Sequence, residues 1–111
     1  IKTQARIDTP GSGRKVERGR VMVAGVAWAQ HRGVSAVEVR VDGGPWQRAQ
    51  LAKVPSVDTW RQWRWPWQAK PGKHRLQVRA IDETGEVQTR TEQEPLPDGA
   101  TGWHTVSFAV T

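Results

Sequence analysis

The chain contains no cysteine and no tyrosine, and its 111 residues include one phenylalanine and one methionine. Without cysteine there is no disulfide framework, no thiolate metal site and no cysteine nucleophile. No run approaches the ~18 consecutive apolar residues of a membrane span, and no charged-then-apolar signal region opens the chain. No window of useful length shows helical spacing of apolar residues. Histidine is scarce. His31, His74 and His104 lie far apart without ligand spacing, so each reads as a surface or turn residue. No phosphate-cradling glycine loop precedes a helix, and a nucleophile elbow is missing. These gaps leave no catalytic residue and no metal ligand to nominate.

The length is near the commonest size for one domain and suffices for folding without staples. One core spanning 1–111 is therefore expected. The chain begins at Ile1 rather than Met, which favours a piece excised from a longer protein.

Charge is plentiful but unevenly placed. Residues 1–81 hold 16 of the 17 basic residues and 5 of the 11 acidic ones, a local balance of +11. Residues 82–111 set Arg90 against Asp82, Glu83, Glu86, Glu92, Glu94 and Asp98, a balance of −5. Such asymmetry suits an oriented contact with a partner. A plainly solvated surface is the simpler reading. The acidic stretch from 82 to 98 argues against nucleic acid.

Period-two alternation between turn signals marks the strands. Asp8 to Gly13 is a loop by composition. Arg20 to Ala29 reads as a long strand whose Gly25 marks a bulge or a close backbone approach. Val37, Val39 and Val41 alternate with Glu38 and Arg40 up to the turn Asp42-Gly43-Gly44-Pro45, and Trp46 to Leu51 returns as a hairpin arm. After a polar stretch through Pro55, Trp63, Trp65 and Trp67 fall on one face of the next strand. Pro66 cannot donate to a ladder, so that strand end lies at an edge or bulge. Lys70 to Lys73 turns the chain into Leu76, Val78 and Ala80, which end at the turn Asp82 to Gly85. Val87 to Thr91 is a candidate short strand, and Glu94 to Gly102 a loop. Trp103 to Val110 closes the domain with Val106, Phe108 and Val110 on the core face. About seven short strands in about 100 residues fit an all-β, immunoglobulin-like Greek-key sandwich without a disulfide.

Seven tryptophans are the informative surplus. A sandwich core takes one or two, so Trp28 and one member of the 60–67 cluster are expected inside. The others suggest contact surface, and Arg61 and Arg64 interleave with them, placed for stacking on indole faces. Left open are a protein interface, a sugar-stacking platform of a stand-alone carbohydrate or protein binding module, a single-strand nucleic-acid groove, or core plus support.

The strings VAGVAWA (23–29), VSAVEVRVDGGPWQRAQL (34–51), WRQWRWPW (60–67), PGKHRLQVRAIDETGEVQ (71–88) and GWHTVSFAV (102–110) add a resemblance. In this order they resemble the C-terminal dimerisation domain of sulfite-oxidase-type molybdopterin-dependent oxidoreductases. The resemblance implies a non-catalytic sandwich, the C-terminal piece of a longer protein, with molybdopterin–molybdenum in a preceding domain. It implies that this chain packs on its own cofactor-binding domain and supports a homodimer. No membrane segment lies in this chain, and an extracytoplasmic location is favoured for the parent. Trp60, Arg61, Trp63 and Arg64 are the nominated interface residues. Arg64 also takes, by resemblance, a contact to a substrate anion.

Overall fold

The computed structural model describes residues 4–28, 33–52, 60–85, 87–88 and 103–111, Trp60 by its backbone alone. Among these residues the regular structure is entirely strand, and the strands form two sheets. One sheet holds β1 (Gln4–Thr9), β3 (Gly19–Trp28), β7 (Trp60–Ala69) and β6 (Gln50–Leu51), in the order β1-β3-β7-β6. The second holds β2 (Lys15–Val16), β9 (His104–Val110), β8 (Gly72–Asp82), β4 (Val34–Val41) and β5 (Gln47–Arg48), in the order β2-β9-β8-β4-β5. Among the described strands only β2 and β9 pair in parallel. This order is that of an immunoglobulin sandwich, with short strands added at the edges of the second sheet.

Alternation decides which side chains face inward. In β8, Leu76, Val78 and Ala80 are fully buried, while Gln77 and Arg79 lie on the opposite face. Val106, Phe108 and Val110 of β9 and Val37 and Val39 of β4 meet them in one core. Burying each of these large apolar side chains stabilises the fold by about 1.5–3 kcal/mol. In β4 the pairing with β8 is irregular between Val34 and Ala36. The irregularity shifts the parity, so Val34, Ala36 and Val37 are all buried.

Turn chemistry matches its residues. Asp42 and Gly43 have φ of 53° and 73°, and the Gly44 amide donates to the Val41 carbonyl at 2.9 Å. Positive φ at both central residues is the type I′ pattern, for which Asp-Gly is a preferred pair. At the end of β8 the Gly85 amide donates to the Asp82 carbonyl at 2.9 Å. The buried Asp82 carboxylate accepts from the Thr84 amide at 2.9 Å.

Several local expectations need correction. Asp8 does not begin a loop, because β1 runs through it to Thr9. The arm Trp46–Leu51 is not one strand. β5 pairs with β4, buried Ala49 carries the chain between sheets, and β6 pairs with β7. Trp28 is half-buried rather than core, since Val23, Gly25 and Ala27 take the inward parity of β3. Val87 makes a single bridge to Ile81. The remainder of its expected strand from Thr89, the 94–102 loop up to Gly102 and the polar stretch 53–59 lie outside the described residues. Pro66 is paired on one side only: β7 runs against β3 throughout, whereas β6 reaches only Trp63 and Arg64.

Candidate functional site

The strand β7 sorts the nominated interface residues by parity. Trp63 lies opposite Gly25 in the β3–β7 register. A Cβ at Gly25 would stand 1.8 Å from the Arg6 carbonyl oxygen and 2.9 Å from the Trp63 ring. Glycine is thus the residue that lets β1 and the Trp63 indole approach β3 together. Trp63 is 2% exposed. It is a core residue, so its expected role as a surface anchor is corrected. Trp67 is also in the core, edge-on to Phe108 with ring centroids 5.8 Å apart.

Arg61 is half-buried and donates through Nη2 to the Ala52 carbonyl at 2.6 Å. Its Nε and the Trp63 indole nitrogen are buried without a hydrogen-bond partner among the described residues. Arg64 points outward and is exposed, with its Nε donating to Gln50 Oε1 at 3.2 Å. It borders a cavity of about 790 Å³ lined also by Ala24, Val26, Leu51, Gln62 and Trp63. Trp60 pairs through its backbone with Trp28, and its side chain lies outside the described part. The four nominated residues share a strand, but Trp63 and Arg64 take opposite faces of it.

The outer face of the second sheet carries a cluster that strand periodicity alone did not single out. Arg40 lies 4.7 Å from the Trp46 ring centre and 4.9 Å from that of Trp103. Arg79 lies 4.2 Å from the Trp46 ring. The two indoles meet edge to face at 4.9 Å. Glu38 Oε1 accepts from Arg79 at 2.7 Å, and Arg40 Nε donates to Gln77 at 2.8 Å. Opposite charges sit here because the register places Glu38 beside Arg79 and Arg40 beside Gln77. The signal was present as Glu38/Arg40 and Gln77/Arg79 alternation, but reading it needs the register.

Two histidines tie elements together in opposite ways. His74 Nδ1 is 2.7 Å from Asp42 Oδ2, and its Nε2 is 2.7 Å from the Lys70 carbonyl. The hydrogen bond with Asp42 holds the His74 imidazole above its usual pKa of 6.5, against the opposing effect of burial. His104 Nδ1 instead accepts the Ile7 amide at 2.9 Å. Burial, then the nearby Arg6 charge, pushes its pKa below 6.5 despite the favourable Asp8 charge. Neither histidine stands beside a nucleophile or a ligand set. Among the described residues no three His, Cys, Asp or Glu side chains are grouped to hold a metal ion. No helix among them is long and apolar enough to cross a membrane.

Comparison with known proteins agrees with this architecture. The family described as bacterial Ig domain matches residues 4–78. Mouse mitochondrial sulfite oxidase is 34% identical over 99 residues, covering 82% of this chain and 18% of that protein. The human sulfite oxidase is 32% identical with the same coverage. The chain thus spans under a fifth of the length of these relatives. The sulfane dehydrogenase SoxCD of Paracoccus pantotrophus superposes with a TM-score of 0.72 at 25% identity, over 80% of this chain and 24% of that one. Fibronectin(III)-like modules of Clostridium thermocellum CbhA superpose with a TM-score of 0.66 at 17% identity, over 100% of this chain and 47% of theirs. The latter likeness concerns the fold alone. The chain belongs to the bacterial Ig domain family, and it is a domain of the sulfite-oxidase C-terminal type.

Proposed function

We propose that this chain is a non-catalytic association domain of a molybdopterin-dependent oxidoreductase acting on a sulfur compound. It packs against the cofactor-binding domain and mediates pairing of subunits. The observation that carries the reading is the alignment with sulfite oxidases across 82% of this chain but only 18% of theirs. Cofactor chemistry fits poorly here, since a metal held through a cysteine thiolate has no donor in a chain without cysteine. The chain's own residues therefore supply surfaces. Among the nominated contact residues whose side chains are described, Arg64 is the one that is exposed and borders a cavity. It is the residue through which the domain would meet a partner subunit or a substrate anion.

A sugar-binding module has less support. Stacking a sugar requires a free indole face, and Arg40 and Arg79 already lie over the Trp46 ring. Sedimentation equilibrium from about micromolar to about millimolar chain tests the association role by mass action. A concentration-dependent dimer is expected. A strict monomer that also fails to bind its separately supplied cofactor domain would overturn the proposal.

A further inference from the structure

Among the described residues, most of the exposed cations without a carboxylate partner lie towards one end of the sandwich. Arg6 pairs with Asp8 at 2.6 Å, Arg79 and Arg48 share Glu38 at 2.7 and 3.7 Å, and His74 meets Asp42 at 2.7 Å. Arg61 and Arg64 are tied to Ala52 and Gln50. Arg40 is held by Gln77 and two indoles. Lys15, Arg18, Arg20, Lys70 and Lys73 are exposed and make no ion pair among the described residues, and the same holds for Arg14 and Arg75 nearby in sequence and for Arg64 on β7. The tie of Arg18 is to a carbonyl, that of Thr111.

The strand register gathers these five residues. Lys15 and Lys73 both pair with Ala109 across β2, β9 and β8. Arg20 is opposite Gln68, and Gly19 opposite Ala69, next to Lys70. Arg18 bonds Thr111, just past the end of β9. The cations therefore wrap one end of the sandwich from one sheet to the other. Glu17 is the acid in the intervening turn. Beside them, Met22 (41% exposed) and exposed Pro66 are cross-strand partners on the outer face that also carries Arg20.

We propose that this end of the sandwich is a docking surface for an acidic protein surface. It offers charge left unneutralised in the free molecule, with a small apolar patch of Met22 and Pro66 beside Arg20. Charge complementarity supplies the choice of partner, because assembling five like charges without internal partners costs stability that an acidic surface recovers. A single nucleic-acid strand would look for exposed aromatic rings to stack its bases, and none of the described aromatic side chains is exposed at this end. A membrane surface calls for several inserting apolar groups beside the basic ones. Among the described residues, Met22 is the one exposed large apolar side chain at this end.

The test is titration of the intact chain with poly-L-glutamate at about 0.15 M salt, followed by amide NMR. Shifts confined to residues 14–22 and 66–75 are expected. Charge reversal in the K70E/K73E variant should weaken binding at least about tenfold, as rim charges do when opposed. The control Arg48→Glu reverses a cation outside the patch and should change binding less than about twofold. Thermal melting of each variant checks that the fold is retained. Shifts spread evenly over the surface, or equal losses in both variants, would overturn the proposal. So would the absence of polyglutamate binding, including the case where single-stranded DNA or phosphatidylserine vesicles engage the same residues instead.

Discussion

The Ile7 amide donates to Nδ1 of His104 at 2.9 Å, so a side chain of β9 holds a backbone group of β1 in the opposite sheet. This bond needs a neutral ring, because a protonated imidazole has no acceptor. The residues facing His104 reinforce the point, since burial and Arg6 both lower its pKa while Asp8 only partly offsets them.

Stability should therefore fall with acidification through this contact. The folded pKa is below the unfolded 6.5, so the unfolded chain binds more protons in that window. The contribution is fully present above 6.5 and is lost as pH falls towards the folded value. His104→Ala should cost about 1 kcal/mol at pH 8, the net worth of one hydrogen bond. The cost should shrink near pH 5. Urea denaturation across this range measures it, and a cost independent of pH would contradict the argument.

His74 should act with the opposite sign. Its folded pKa is raised by Asp42. Its contribution is then present below 6.5 and lost as pH rises through the folded value. Asp42→Asn should flatten this dependence, and the His74 ring protons followed by NMR titration should then move back towards a pKa near 6.5.

Trp63 should behave as core. Replacement by Ala is expected to destabilise the domain by about 3–5 kcal/mol, the range for large aromatic deletions. Gly25→Ala should cost about 1–3 kcal/mol or more, because its Cβ meets the Arg6 backbone rather than a movable side-chain tip. A Trp63→Ala chain that melts like the parent would return Trp63 to the surface.

The Glu38–Arg79 pair should be coupled. Both side chains are largely covered, at 15% and 22% exposure. A double-mutant cycle to Ala should give an interaction of about 1 kcal/mol or more, above the typical value for exposed pairs. Additive losses would mean that Trp46 stacking alone positions Arg79.

Arg64→Ala should leave stability within about 0.5 kcal/mol, as surface substitutions do. It should weaken self-association about tenfold by sedimentation equilibrium, the cost of a modest interface contact. Unchanged association would separate Arg64 from the interface.

Strand positions in the core were legible in the sequence because burial follows period two. Val37 and Val39, Leu76 to Ala80 and Val106 to Val110 all lie where alternation puts them. The turns at Asp42–Gly43 and Asp82–Gly85 were equally legible, since few residues accept their positive φ. The close approach at Gly25 was readable as well. Alternation also placed Trp63, Trp65 and Trp67 together, but could not say whether that shared face met the core or solvent. Only the partner strand decided this, through the Gly25–Trp63 register and the β1 backbone lying over it. The split of residues 46–51 between two sheets and the Arg–Trp cluster of the second sheet were likewise tertiary decisions. Both depend on which strands become neighbours, and a local pattern carries each residue's parity but not the identity of what faces it.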